Sequence, residues 1–139
     1  MIDLKIELSK LNIVKRIEQT LQEEPFLKVC TRNDLGVGRD GKVPCKCGVY
    51  FIYRQTALTF ADDSWTLQYI GVHKSVRQRL SEHLFYTPDS KTKHKAYQIN
   101  KQSEYMYAVK YILIEPCSLR EYIEHILIEQ MDPPDNNHD

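Results

Sequence analysis

The chain has 139 residues and a formal net charge of zero, with 19 basic and 19 acidic side chains. This length is typical of a single domain with a modest core, and the charge balance of the whole chain favours no class of partner. No stretch approaches the roughly 18 apolar residues of a membrane span, and the N-terminus lacks the apolar block of a signal peptide. We therefore expect a cytoplasmic protein with no membrane partner.

The zero net charge conceals a segregation of charge along the chain. The segment 72–111 contains eight Lys or Arg residues against three acidic residues. The segment 115–139 contains seven acidic residues, and Arg120 is its one Lys or Arg. The middle of the chain is thus basic and the tail is acidic.

Residues 1–47 predict an N-terminal, largely helical extension. Apolar and polar residues alternate over residues 2–8, which is typical of a short strand, although the same residues also fit a backward extension of the following helix. Ser9 is the predicted cap of an amphipathic helix that ends before Pro25. Residues 31–46 predict a turn-rich loop.

The four cysteines, at positions 30, 45, 47 and 117, are predicted to be free thiols. Their number and spacing in such a chain do not indicate a disulfide framework. Cys45 and Cys47 are too close for the usual spacing of zinc ligands, and histidine or cysteine partners at matching intervals are missing.

Residues 48–139 predict a small α+β domain. Strands rich in Tyr, Val and Ile are predicted over 48–54, 66–71 and 104–115, with a polar, lysine-bearing loop over 86–104. Helices are interspersed with these strands, in the order strand, strand, helix, strand, helix. This order predicts a small α+β domain, and we expect its three strands to form an antiparallel sheet flanked by helices.

Two capping boxes mark the starts of the predicted helices. Ser75-x-x-Gln78 opens a helix that ends near residue 84, and Ser118-x-x-Glu121 opens a helix that ends near residue 131. Prolines 133 and 134 stop the second helix.

Polar residues with chemical capacity lie on this scaffold. Tyr50 and Tyr69 are on the first two strands, Arg79 and His83 are one helical turn apart beside a buried stripe, and Glu124 is in the middle of the last helix. Taken singly, each residue is more often structural or solvated. Together they provide what phosphodiester hydrolysis needs: a carboxylate for a divalent cation, a guanidinium for developing charge, and a phenol or imidazole for the proton.

The order of these residues resembles the GIY-YIG nuclease superfamily. Gly48-Val-Tyr50 and Tyr69-Ile-Gly71 resemble its paired motifs, and Arg79 lies eight residues after Gly71, where the family carries its arginine.

The resemblance continues to the end of the chain. His83 lies four residues after the arginine, where members have His or Tyr. Glu124, followed twelve residues later by Asn136, resembles the closing motif. The similarity covers about residues 48–136, and five elements in order are far more specific than either short motif alone.

The resemblance implies a metal-dependent endonuclease that cuts DNA, with RNA not excluded. Glu124 would hold one Mg²⁺ or Mn²⁺ ion per active site, and Arg79 would contact the scissile phosphate. Tyr50, with help from His83, would activate water or accept its proton, and Tyr69 would bind the phosphate or water. The remaining motif residues would support the site: Gly48, Gly71 and Asn136, the last of which would tie the C-terminal segment to it.

The sequence departs from the family pattern at His73, where a small hydroxyl residue is usual. His73 is either an extra contact to phosphate or water, or an exposed loop histidine. Basic residues near the predicted site are further candidates for nucleic-acid contact. The full set of candidates is His73, Lys74, Arg77, Lys91, Lys93 and Lys95.

Within the superfamily the chain looks most like a small restriction-like or mobile-element-type nuclease, because repair members are domains of longer chains. One small site cuts one strand, so double-strand cleavage would need a homodimer or two visits. Two other hypotheses stay open: a catalytically silent DNA-binding or regulatory module, and a nuclease subunit that is active only in a larger assembly.

Overall fold

The computed structural model describes residues 4–36, 42–56, 65–85 and 105–136. Within these ranges the protein has three α-helices and four β-strands, which confirms the α+β class. In chain order they are α1 (Leu4–Glu23), β1 (Leu27–Val29), β2 (Gly48–Thr56), β3 (Thr66–His73), α2 (Val76–Leu84), β4 (Tyr105–Leu113) and α3 (Arg120–Met131). Short 3-10 turns lie at Arg32–Asp34, Cys117–Leu119 and Pro134–Asn136.

The strands form one antiparallel sheet in the order β1-β4-β2-β3. All three predicted strands are present, but the predicted three-stranded sheet is incomplete because β1 adds a fourth strand beside β4. A three-residue strand is too short to show an alternating pattern, and its pairing depends on a segment of the chain about 80 positions away. The fourth strand comes from the segment predicted as an N-terminal extension.

The two faces of the sheet are covered by different helices. Tyr50 and Ile52 of β2 pack with the buried face of α2, whereas Val49 and Phe51 pack with α1 and α3. Successive side chains of a strand point to opposite faces, so one strand supplies both cores. Tyr50 therefore faces α2, and α3 lies on the opposite side of the sheet.

The N-terminal segment is helical from Leu4 onward, so a strand over residues 2–8 and a cap at Ser9 are both wrong within the described residues. Leu4, Leu8 and Leu11 recur at i, i+4 and i+7, which is helical spacing. The apolar residues over this short stretch fit the spacing of a strand and that of a helix, and the chain forms the helix.

The start of α2 was predicted correctly, and that of α3 was not. The Ser75 side chain accepts a hydrogen bond from the backbone N–H of Gln78 at 3.4 Å, as a helix cap does. By contrast, Ser118 lies inside a 3-10 turn, and α3 begins at Arg120 after Leu119, without a capping side chain. Because Ser118 is part of this turn, it does not cap α3.

Cys47 and Cys117 form a disulfide, so the prediction of four free thiols is wrong for this pair. Cys30 and Cys45 are free and exposed. The sheet explains the pairing: Gly48 of β2 lies opposite Leu113 of β4, and the chain segments just beyond both ends converge. A separation of 70 residues hid this proximity from sequence patterns.

None of the helices in the described ranges is long and apolar enough to span a membrane.

Candidate active site

The centre of the site is a hydrogen bond between Tyr50 of β2 and His83 of α2. The Tyr50 hydroxyl lies 2.8 Å from His83 Nε2, and the two residues are only 2% and 1% exposed. The sequence placed His83 beside the buried stripe of its helix, but the structure places it within that stripe, with Leu80 and Leu84. The helix therefore aims the imidazole at the sheet.

The protonation of this pair follows from its burial. Burial raises the pKa of the Tyr50 phenol well above its usual value, and the negative charges of Glu124 and Glu82 act in the same direction. The hydroxyl therefore keeps its proton at neutral pH, 2.8 Å from His83 Nε2.

Tyr69 of β3 completes a cluster of three rings. Its ring centroid lies 4.9 Å from the His83 imidazole and 6.2 Å from the Tyr50 ring. Tyr69 lies opposite Ile52 in the β2–β3 register, next to an irregularity where Tyr53 pairs with Leu67. Tyr69 is only partly buried, so it is the outermost of the three rings.

The structure gives a physical reason for each motif glycine. Gly71 lies directly opposite Tyr50 in the sheet, and a side chain there would overlap the end of the Tyr50 ring and its hydroxyl. At Gly48 a Cβ atom would lie 2.6 Å from the Ile112 carbonyl oxygen and 3.0 Å from Val76. Gly71 therefore leaves room for the Tyr50 ring, and Gly48 permits the close approach of β4 and α2 to β2.

Arg79 lies on α2 one turn before His83 and is 19% exposed. Its Nε atom is 3.5 Å from a carboxylate oxygen of Glu82. The positive charge of Arg79 opposes the rise in the pKa of the Tyr50 phenol. Burial lowers the pKa of His73, and the Arg79 charge acts in the same direction. The guanidinium is therefore close enough to influence both groups.

Glu124 reaches the site from the other side of the sheet. Its carboxylate accepts a hydrogen bond from the backbone N–H of Val72 on β3, and burial raises the pKa of this carboxyl group. Since β3 is an edge strand, α3 can place Glu124 against that edge. The Glu124 charge also contributes to the raised pKa of Tyr50, which connects the two sides.

An open cleft of about 700 Å³ lies beside Glu124. The end of β3 and the residues just after it form one wall, and α3 forms the other. The lining residues are Val72, His73, Lys74, Arg120, Glu121, Glu124, His125 and Ile128.

Asn136 binds the same edge of the sheet. Its side-chain amide accepts a hydrogen bond from the Ile70 N–H at 2.8 Å and donates one to the Ile70 carbonyl at 2.8 Å. These two bonds satisfy backbone groups of β3 on the side where no other described strand pairs with it. The segment after α3 is thereby fixed next to Glu124.

The other predicted contacts have different positions. Lys74 is exposed at the cleft, and His73 Nδ1 lies 2.9 Å from the Ser75 backbone nitrogen. Arg77 instead donates from Nε to the Val43 carbonyl at 2.5 Å, so it anchors the loop before β2 rather than facing the cleft. Residues 91, 93 and 95 lie outside the described residues.

Sequence patterns missed two charged residues at the site, Glu82 and Arg120. Glu82 lies three residues after Arg79, and Arg120 lies four before Glu124. These spacings place each next to its neighbour on one helix face. Helical spacing from the predicted site residues was thus the signal that could have found them.

The residues present fit a divalent cation with one protein ligand. Within the described ranges, no group of three or more His, Cys, Asp or Glu side chains is arranged to hold a metal ion. A carboxylate oxygen is, however, the donor that Mg²⁺ prefers, and Mg²⁺ commonly uses one or two carboxylates with water and phosphate. Glu124, half-buried at an open cleft, meets that requirement.

A scan of the sequence against protein-family models finds no match, and a search of curated proteins finds no significant match.

Proposed function

We propose that the protein is a metal-dependent endonuclease of the GIY-YIG superfamily, which hydrolyses phosphodiester bonds in DNA. The observation that carries the proposal is the hydrogen bond between Tyr50 and His83, beside Gly71, which is the partner of Tyr50 on the neighbouring strand. The two motif tyrosines, the motif glycine and the predicted histidine thus form one cluster. Arg79 and Glu124 both act electrostatically on the same phenol.

The proton of the attacking water passes through the Tyr50–His83 pair. A phenolate is disfavoured at this buried position because burial raises the pKa of Tyr50. The phenol oxygen therefore accepts the water proton while its own proton moves to His83 Nε2, 2.8 Å away. No free phenolate is needed at neutral pH.

Arg79 and Glu124 divide the remaining roles. The Arg79 guanidinium donates hydrogen bonds to the non-bridging oxygens of the scissile phosphate and offsets the negative charge that develops there. Glu124 would hold Mg²⁺ or Mn²⁺, which supplies Lewis-acid stabilisation of the phosphate and leaving oxygen when bound. Asn136 keeps the edge of β3 and the segment after α3 in place around this carboxylate.

Cleavage of supercoiled plasmid, with and without magnesium, tests the proposal. We expect magnesium-dependent cutting that Glu124→Gln abolishes, while DNA binding stays within a few-fold. Glu129→Gln is the matched control, because Glu129 is an exposed carboxylate on the same helix. Arg79→Ala should lower the rate about 100-fold or more, whereas Arg16→Ala on the outside of α1 should not. Near wild-type cutting by Glu124→Gln would overturn the metal assignment.

A catalytically silent DNA-binding module is the second candidate, and one observation favours it. Tyr50 and His83 are almost fully buried, which is also how a purely structural Tyr–His pair would look. The same assay separates the two functions: a silent module binds DNA but leaves the plasmid intact with magnesium or manganese.

The proposal also covers double-strand cleavage, the nucleic-acid substrate and the need for other subunits. One site cuts one strand, so double-strand cleavage requires a homodimer or two successive visits. DNA is the proposed substrate, in a cytoplasmic setting, and an RNA of the same sequence is the comparison substrate in the cleavage assay. A restriction-like or mobile-element-type role predicts cleavage without other protein subunits, which distinguishes it from a subunit active only in an assembly.

A further inference from the structure

The cleft beside Glu124 carries two cations on opposite walls. Lys74 follows β3 on one wall, and Arg120 opens α3 on the other. Within the described residues neither takes part in an ion pair, although Glu124 lies four positions after Arg120 on the same helix. Both positive charges thus line the cleft without an ion pair to any acidic side chain that the structure describes.

The Arg120 side chain is held in place from behind. Its Nη1 donates to the Cys117 carbonyl at 3.1 Å and lies 3.4 Å from the Cys117 sulfur. Cys117 is bonded to Cys47, the residue just before β2. The guanidinium is therefore fixed to the frame of the sheet, and its remaining N–H donors have no partner in the described part of the chain.

Arg120 is also close to the candidate active site. The positive charges of both arginines act on His73. Burial lowers the pKa of His73, and the charges of Arg79 and Arg120 lower it further. His73 itself lines the cleft together with Lys74 and Arg120, so both cations lie beside a histidine that the charge of Arg79 also influences.

We propose that Arg120 and Lys74 form a phosphate-binding subsite, which holds a backbone phosphate next to the one that is cut. This inference rests on the proposed function, because it uses Arg79 and Glu124 to define the scissile position. The subsite is sequence-independent, since backbone phosphates carry no base information. Glu121 and Glu124 also line the cleft, so the subsite makes a localised contact rather than forming a broad basic patch.

Salt-dependent DNA binding, measured by fluorescence anisotropy without divalent cations, tests the inference. Each phosphate contact to duplex DNA contributes about 0.9 to the slope of log K against log salt. Arg120→Gln and Lys74→Gln should each weaken binding and make this slope shallower by about 0.9 over roughly 50–200 mM salt. Arg16→Gln on α1 is the matched control and should leave the slope unchanged.

The outcomes separate this inference from the proposed function. If the wild type cuts DNA but both variants keep its affinity and slope, the subsite is wrong and the endonuclease proposal stands. If the wild type neither binds nor cuts, both fail. If Arg120→Gln is poorly folded by circular dichroism, Lys74→Gln decides, because Lys74 is exposed; an unchanged slope there overturns the subsite.

Discussion

At the scale of one residue, Tyr50 is the buried side chain on which the proposed chemistry depends. Tyr50→Phe removes only the hydroxyl that bonds His83, so we expect cleavage to fall about 100-fold or more. The free energy of unfolding should fall by about 1–2 kcal/mol, since the His83 nitrogen loses a buried partner. Tyr53→Phe is the matched control, because Tyr53 is on the same strand but packs with α1 and α3. Comparable losses in both variants would argue against a chemical role for Tyr50.

The proton relay can be tested separately from the presence of the hydroxyl. If Tyr50 and His83 act as one unit, Tyr50→Phe/His83→Ala should cut little more slowly than the worse single variant. Single-turnover rates of the four proteins provide the comparison. Fully multiplicative losses would mean that the two groups act independently.

Gly71 is a second residue whose identity follows from the packing. In Gly71→Ala the new methyl group meets the end of the Tyr50 side chain, which is held in place by His83. We expect a loss of about 1–3 kcal/mol in stability, as for other overpacked sites, together with a large loss of cleavage. Thermal unfolding and the plasmid assay measure the two effects.

A double mutant identifies the cause of that loss. The nearest atom to the added methyl is the Tyr50 hydroxyl oxygen, so Tyr50→Phe should relieve part of the overlap. The stability cost of Gly71→Ala should therefore be smaller in the Tyr50→Phe background than in the wild type. If Gly71→Ala costs the same stability in both backgrounds, overlap with the Tyr50 hydroxyl is not the cause of the loss.

At the scale of elements, the edge strand β3 depends on a side chain. Asn136 satisfies both backbone groups of Ile70, and Asn136→Ala leaves them unpaired at a cost of about 1–3 kcal/mol. Hydrogen exchange of the Ile70 amide should become faster, and cleavage should fall because Glu124 binds the same strand. Asp135→Ala, in the same turn, is the control. Unchanged exchange at Ile70 would show that Asn136 does not hold this edge.

At the scale of the whole molecule, the disulfide joins the start of β2 to the turn before α3. For a loop of this length the chain-entropy estimate of its stabilisation is about 4 kcal/mol. Cys117→Ser should lose most of this stability in urea unfolding, whereas Cys45→Ser, at an exposed free thiol, should not. An equal stability of oxidised and reduced wild type would contradict the prediction.

The proposed endonuclease activity also predicts an order of products from a plasmid. If the one proposed site cuts one strand, nicked circles should appear before linear DNA at low protein concentration. If double-strand cleavage needs a homodimer, the linear fraction should rise with protein concentration, and sedimentation should show the dimer over the same range. Linear product from the outset, at concentrations where the protein is monomeric, would contradict the one-strand prediction.

The sequence by itself determined the parts of the fold that depend on local pattern. Runs rich in Tyr, Val and Ile predicted β2, β3 and β4, and the Ser75 cap predicted the start of α2. Spacing placed Arg79 and His83 on one helix, and Gly71 two residues after Tyr69. These features depend on residue type and spacing over a few neighbouring positions, which can be read directly from the sequence.

Only the tertiary structure decided which distant groups meet. The pairing of Cys47 with Cys117, the addition of β1 to β4, the hydrogen bond from Tyr50 to His83 and the attachment of Asn136 to Ile70 all join residues far apart in the chain. Lys110 is a further example of a position that the sequence alone could not predict. It belongs to the basic segment 72–111, but it is buried and donates to the Leu21 carbonyl near the end of α1. Such contacts depend on how the sheet brings elements together in space, and no local period encodes that arrangement.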